Sequence, residues 1–453
     1  MSAKDAKDAK KGCQQCLAIT ARVSPSTHAL SLSFASFASF ADYYAFGPTI
    51  PMPPLTGVRI LDLSRILAGP WATQLLADLG AEVWKIEKPG GGDDTRSWGP
   101  PWLGGEGGES AYFLAANRGK RSLAIDFTQP AGAGLVRALA CKADVLVENF
   151  KVGGLAKYGL DWPSLQALNP RLVYCSITGY GQTGPYAQRA GYDAAIQAQG
   201  GLMSLTGEPD GAPGGGPQKV GVAVADLMTG MYAASGILAA LRHAQATGQG
   251  QQIDLALLDT QVGWLANQAL NYLVGGAVPQ RRGTAHPNIV PYQVMAAADG
   301  HFMLAVGNDG QFRKLCGILD AAALADDPRY ASNAARVAHR EALVAVLDAL
   351  LRVQPVAHWL AQLEAAGVPC APVNSLDQVF ADPQVQHRGM RFDLAHGSGA
   401  QVPQVASPLR FSATPVEYRQ APPLLGADTA EVLAEVLAID AAELARLRSL
   451  GAL

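Results

Sequence analysis

Short runs rich in Val, Ile and Leu (GVRILDLS at 57–64, AEVWKIE at 81–87, SLAIDF at 122–127, DVLVENF at 144–150 and RLVYCSITGYG at 171–181) alternate with segments of helical periodicity. Alternation on this scale leaves few architectures open. Each strand is followed by a crossover helix, so neighbouring strands run parallel and both faces of the sheet are covered. The expected fold class is α/β, with a Rossmann-like parallel-sheet large domain and a smaller α+β domain. In the first unit the loop RILAGP leads into a helix over 71–78 with Gly80 as its stop, and AEVWKIE ends on Glu87. A nicotinamide-binding fold would place GxGxxG in that loop and a ribose-binding acid near Glu87. Gly69 followed by Pro70 supplies no such phosphate cradle, which argues against that cofactor. Ligands of open α/β sheets lie outside the carboxyl ends of the strands. The loops carrying Asn149 with Phe150, Gly179 with Tyr180 and Gly181, and the one ending at Asp226, should therefore line one crevice.

The stretch VGVAVADLMTGMYAASGILAALRH, 220–243, sets one carboxylate in apolar surroundings. A β-branched run at 220–224 reads as a strand that arrives at Asp226, after which Leu227, Met231, Ile237, Leu238 and Leu241 recur at helical spacing. At a strand-to-helix junction a carboxylate meets unpaired backbone N–H groups and the positive end of the helix dipole, which hold it ionised. Flanked by apolar residues, it is a usable nucleophile. Asp is equally a favoured helix N-cap, and the spacing alone does not choose between the two roles.

Length and composition bound the rest. A chain of 453 residues that is 49% hydrophobic exceeds one ordinary core, so more than one domain is expected. Its sequence divides into an extension at 1–53 expected to be disordered, a large domain at 54–254, a linker at 255–285, a small domain at 286–385, and a return segment at 386–453 that completes the large domain. Within these, 331–363 reads as two helices, FDLAH and PLRFS as short strands, and 429–450 as one terminal amphipathic helix. The extension opens with AKDAKDAKK and ends in a Pro cluster. It fits neither a secretory signal nor a transit peptide, and reads as a tail or as an overlong start with Met52 as the natural one. A formal charge of −3 with no long basic run offers nothing for nucleic acid or anionic membrane. No uninterrupted apolar run reaches the roughly 18 residues of a membrane span. Six cysteines, at 13, 16, 141, 175, 316 and 370, are too scattered for a disulfide framework and suit a reducing, cytoplasmic setting. The lone CQQC at 13–16 has no second pair to make a zinc site, so no metal is expected.

Beyond these readings, LTGVRILDLSRILAGP, AEVWKIEKPGGGDDTR, NRGKRSLAIDF, DVLVENF, AGYDAAIQAQGG, VAVADLMTGMYAASGILAAL, TGQGQQIDLALLD, GVPCAPVNS and PLLGADT follow one another in an order that resembles the class III CoA-transferases, the formyl-CoA and carnitine CoA-transferase type. The resemblance runs from Pro53 to Leu453. Within the family, GTAHPNIVPYQ at 283–293 and QRAGYD at 188–193 are most similar to the branch that moves CoA between succinate and glutarate or hydroxymethylglutarate.

The resemblance implies an intertwined, ring-like homodimer, coenzyme A as co-substrate with no tightly bound cofactor, and Asp226 as the catalytic acid. Attack of that carboxylate on the thioester carbonyl gives a mixed anhydride and CoA thiolate. The thiolate then takes the aspartyl acyl group as a thioester and frees the donor acid, and the acceptor acid repeats both steps in reverse. No hydrolytic base should stand beside the anhydride, and no GxSxG or Ser/His/Asp set is present. By the same resemblance CoA is held by Ile66, Ala68, Lys88, Arg96, Ile125, Phe127, Asn149, Phe150 and Lys157. Taken singly, each of the cations also reads as a solvated charge. Arg189, Tyr192, Asp193, His286 and Tyr292 would meet the acid, the donor being succinyl-CoA and the acceptor a short dicarboxylate. Packed-ring, helix-cap and structural-histidine roles stand beside these for Tyr192, Asp193 and His286. Two alternatives share the scaffold. A non-catalytic CoA-binding protein would lack a competent Asp226, and a racemase of this family would carry His where Tyr192 stands, since α-proton removal needs a base that titrates near neutrality.

Overall fold

The structure, a computed structural model, describes residues 52–453, so nearly all of the expected 1–53 extension lies outside the described residues. The chain divides into two compact units. One comprises the chain up to Tyr192, Ala225–Thr260 and Arg391–Leu453; the other comprises Asp193–Val224 and Gln261–Met390.

The first unit is built on six parallel strands: β1 (Arg59–Asp62), β2 (Glu82–Glu87), β3 (Lys120–Ala124), β4 (Val145–Glu148), β5 (Val173–Thr178) and β6 (Gln252–Ala256). Their spatial order is 3-2-1-4-5-6. In this doubly wound order the topological switch point, where a ligand crevice opens, lies between β1 and β4. Four helices matter for the site: α1 (Ala68–Asp78), α2 (Pro130–Ala140), α3 (Trp162–Leu168) and α4 (Val224–Thr247). One face of the sheet buries Leu61, Trp84, Ile86, Leu123 and Leu146 against Leu135, Val136 and Leu139 of α2 and against Val432, Leu433 and Leu447 near the C-terminus. The exposed edge of β3 is covered by the returning chain: Ser122 N–H donates to Asp428 (2.8 Å) and Ala124 N–H to Thr429 Oγ1 (2.9 Å). That contact satisfies an edge that would otherwise invite pairing with another chain.

Four local expectations are corrected. The 220–224 run is not a strand; it stays irregular until the helix begins at Val224. PLRFS at 408–412 is irregular, and the strand that pairs with Arg391–Ala395 is Gln401–Val405. The 331–363 stretch holds three helices, Asn333–Ala338, Arg340–Leu351 and Val356–Ala365. The terminal helix is two, Thr429–Leu437 and Ala441–Ser449: Ala438 turns into the left-handed region at φ 54°, and Asp440 accepts the Glu443 N–H (2.8 Å) to cap the second.

α4 is also long and apolar enough to cross a bilayer, where the sequence showed no uninterrupted run. One of its faces is buried in the first unit. Its small side chains Ala225, Ala233, Ala234 and Ala240 are buried, and Gly236 lies against Ile253 of β6. The second unit has a three-stranded antiparallel sheet, Tyr292–Ala296, His301–Ala305 and Cys370–Pro372, closed over Phe302, Leu304, Phe312, Leu343 and Trp359.

Candidate active site

At the switch point, β1 runs into the loop 63–67 and β4 ends at Glu148 before Asn149. Asn149 binds the loop through both ends of its amide, accepting from Arg65 N–H (2.9 Å) and donating to Arg65 C=O (2.7 Å). From the β2 side, Asp93 accepts the next N–H, that of Ile66, at 3.2 Å. Asp93 is itself held by Lys85 (2.9 Å), whose ammonium also donates to Ser64 C=O (2.9 Å), and neither side chain of this ion pair is solvent-exposed. Burial would raise the Asp93 carboxyl, but Lys85 and the Thr95 donors outweigh it and hold the group at about 2. Ser64 is fixed from below by Asp62, which pairs with Lys120 at 3.1 Å. This loop is thus braced by the buried ion pairs Lys85–Asp93 and Lys120–Asp62.

Arg96, expected at CoA, is engaged within the chain. All five of its N–H donors are engaged: Nε and Nη2 on Glu87 (2.7 and 2.8 Å), Nη1 on both oxygens of Glu109 (3.0 Å), and Nη2 also on Pro423 C=O (3.1 Å). The guanidinium sits 3.6 Å from the Phe113 ring centroid. It is a buried strut and offers no free fork to a phosphate. Ile125, also expected at CoA, has its side chain in the core cluster. Ala68 is buried at the start of α1, and Ile66 is half-buried in the loop.

A cluster of aromatic rings stands nearby. Phe127 stands edge-on to Phe150 (5.6 Å) and to Tyr158 (5.5 Å). Two cations flank it: Lys157, exposed, with Nζ 4.8 Å from the Tyr158 ring, and Arg65, 5.2 Å from the Phe150 ring. Lys88 is exposed just past β2. Arg65 was not singled out in the sequence, although it stands beside Ile66 in the same loop.

Asp226 occupies the third position of α4, inside the first turn and not at the cap before it. It is partly buried there. The first-turn field that favours an ionised carboxylate therefore applies, whereas the N-cap reading does not. Gly230, one turn on and on the same helical face, shows where this end of the helix lies: a Cβ there would stand 2.7 Å from Ala68 C=O and 3.1 Å from Trp71. The helix bearing Asp226 is thus pressed against the first turn of α1.

The loop after β5 folds back on itself so closely that a Cβ on Gly179 would stand 2.6 Å from Gly191 Cα. It presents Arg189, stacked 3.9 Å over Tyr186, and Tyr192, which is 69% exposed. Asp193 opens the helix Asp193–Gln199 in the second unit and accepts from Gln197 (2.7 Å). In that same unit His286 and Tyr292 come together, with ring centroids 5.3 Å apart and His286 N–H on Tyr292 C=O (2.9 Å). Arg340, which sequence reasoning passed over, holds the His286 and Pro287 carbonyls at 2.8 and 2.9 Å. Burial and the Arg340 charge lower the His286 pKa and favour the neutral ring. Among the described residues no cluster of His, Cys, Asp or Glu could hold a metal ion.

The family model for CoA-transferase family III matches residues 55–429. The chain is 54% identical over 391 residues to a succinate–glutarate CoA-transferase of Agrobacterium fabrum, covering 86% of this chain and 97% of that protein. It is 44% identical over 398 residues to a human succinyl-CoA:glutarate CoA-transferase, covering 88% and 89% of the two chains. A crystal structure of a CAIB/BAIF family protein from Brucella suis superposes with a TM-score of 0.76 at 52% identity, covering 85% of this chain and all of that one. With the switch-point loop, the aromatic cluster and the helix of Asp226 described, these matches make the chain a member of CoA-transferase family III.

Proposed function

We propose that this CoA-transferase moves CoA from succinyl-CoA to glutarate or a similar short dicarboxylate, through an anhydride and then a CoA thioester on Asp226. The observation that supports the assignment is the contact of α4 with the first turn of α1: Gly230, one turn from Asp226 on the same face of the helix, lies on the carbonyl of Ala68, the residue that follows the 63–67 loop. The names and identities of the relatives support the choice of donor and acceptor. In this reading the CoA adenine lies against Phe127 and Phe150, Lys88 and Lys157 meet its phosphates, and Ile66 and Ala68 border the thioester. Arg189, Tyr192, Asp193, His286 and Tyr292 are assigned to the acid. The enzyme acts as a homodimer in the cytoplasm, in keeping with four free cysteines among the described residues.

A panel of acceptors offered with succinyl-CoA tests the assignment. Glutarate and hydroxymethylglutarate should give the highest kcat/KM. Faster transfer to acetate or oxalate than to any five-carbon dicarboxylate would overturn it.

A further inference from the structure

Ile66 has φ +71°, and of the non-glycine residues with positive φ among those described it is the only β-branched one. A β-branched side chain is an outlier in the left-handed region and stays there only where its surroundings over-determine it. Two side chains from different strand ends do so here. Asn149, following β4, grips the N–H and C=O of Arg65 (2.9 and 2.7 Å), and Asp93, in the loop after β2, accepts the Ile66 N–H at 3.2 Å. Consecutive N–H groups are thus fixed from opposite sides of β1, which pairs with both strands. Asp93 cannot easily yield, because Lys85 Nζ (2.9 Å), Thr95 N–H (3.0 Å) and Thr95 Oγ1 (2.8 Å) all hold the same carboxylate.

We infer that Asp93 and Asn149 are positioning residues that form a two-sided clamp, and that their work is to keep the 65–66 peptide in the strained conformation that receives CoA. Asn149 therefore acts on CoA through the loop, with its amide oxygen and one amide N–H engaged on Arg65. The inference rests on the reading that this loop borders CoA. It also makes a claim about the ligand-free protein.

Both are tested with the full-length chain. Asn149→Ala is the first variant, since Asp93→Asn strands the Lys85 ammonium in the core and can fail to fold. In hydrogen exchange without ligand, the peptide spanning 61–70 should exchange at least about tenfold faster in Asn149→Ala, the opening expected when a hydrogen bond of ordinary strength is lost. Unchanged exchange would overturn the clamp whatever the enzyme's substrates are. In kinetics, Asn149→Ala should raise KM for succinyl-CoA about tenfold while kcat and KM for glutarate stay within about twofold. Glycine adopts positive φ without strain, so in an Ile66→Gly background the same Asn149→Ala change should cost less than about threefold. An equal loss in both backgrounds would mean that Asn149 touches CoA directly and would refute the positioning role. If the wild type transferred no CoA from succinyl-CoA yet the exchange result held, the functional reading would fall and the clamp would stand.

Discussion

Arg96 and Lys157 carry the same charge in the sequence and meet opposite fates in the fold. Arg96 is walled in by Glu87, Glu109 and a carbonyl, whereas Lys157 is exposed beside the Tyr158 ring of the aromatic cluster. Removing one partner of a buried pair leaves the other uncompensated, so Arg96→Gln should cost roughly 3–5 kcal/mol of stability in urea unfolding. Lys157→Ala should stay within about 0.5 kcal/mol and act on KM for acyl-CoA instead. Loss of CoA affinity without loss of stability in Arg96→Gln would restore it as a ligand. Glu148, next to Asn149, is the other buried charge with a readable consequence. Burial pushes its carboxyl from an ordinary 4.5 up to about 7, against the opposing hydrogen bonds from Ser176 and Phe150 N–H. Between those values the folded protein holds a proton that the unfolded chain has released. Its contribution is therefore fully present below pH 4.5 and is lost as pH rises through 7. Glu148→Gln keeps an acceptor for Phe150 N–H and should gain on the order of 2 kcal/mol relative to wild type between pH 5 and pH 8, because a tenfold change in proton affinity is worth about 1.4 kcal/mol. A constant difference across that range would contradict the assignment.

The elements were legible in the sequence where period and length agree. The five strand runs and the helix expected over 71–78 emerge at or near the expected residues, because apolar spacing and flanking turn residues leave little choice. The 220–224 run misled because β-branching expresses strand propensity only where a neighbouring strand is available. The Asp226 helix was legible; what it packs against was not, since Gly230 and Ala68 are distant in the chain and a helical glycine carries no sign of its partner. The Lys85–Asp93 clasp escaped for a similar reason: a lysine within EVWKIE reads as solvated until the buried carboxylate beneath it is known. Because the Ala68 carbonyl is backbone and cannot swing aside, Gly230→Ala should cost about 1–3 kcal/mol by overpacking. It should also lower kcat/KM about tenfold by displacing Asp226 from the loop, a loss of roughly 1.4 kcal/mol in transition-state stabilisation. Full activity in Gly230→Ala would break the link between that contact and the site.

At the scale of the whole molecule, several large apolar side chains lack cover within the chain. Leu273 is 72% and Val274 83% exposed on the helix Ala266–Gly275, and Tyr232 and Leu238 are open on α4. A second copy of the chain is the occupant we propose for these surfaces, and an intertwined dimer would come apart only on unfolding. Differently labelled dimers mixed under native conditions should therefore exchange no subunits over hours; ready exchange would refute the threading. The central claim is chemical, however, and rests on one carboxylate. Hydroxylamine attacks the activated aspartyl carbonyl of either an anhydride or a thioester and leaves a hydroxamate, so its site marks the nucleophile. With succinyl-CoA present, hydroxylamine should inactivate the enzyme and place the hydroxamate on Asp226 in peptide mass analysis, while Asp226→Asn should be folded, unlabelled and inactive. Substantial transfer by Asp226→Asn, or hydroxamate confined to another acid such as Asp193, would contradict the account.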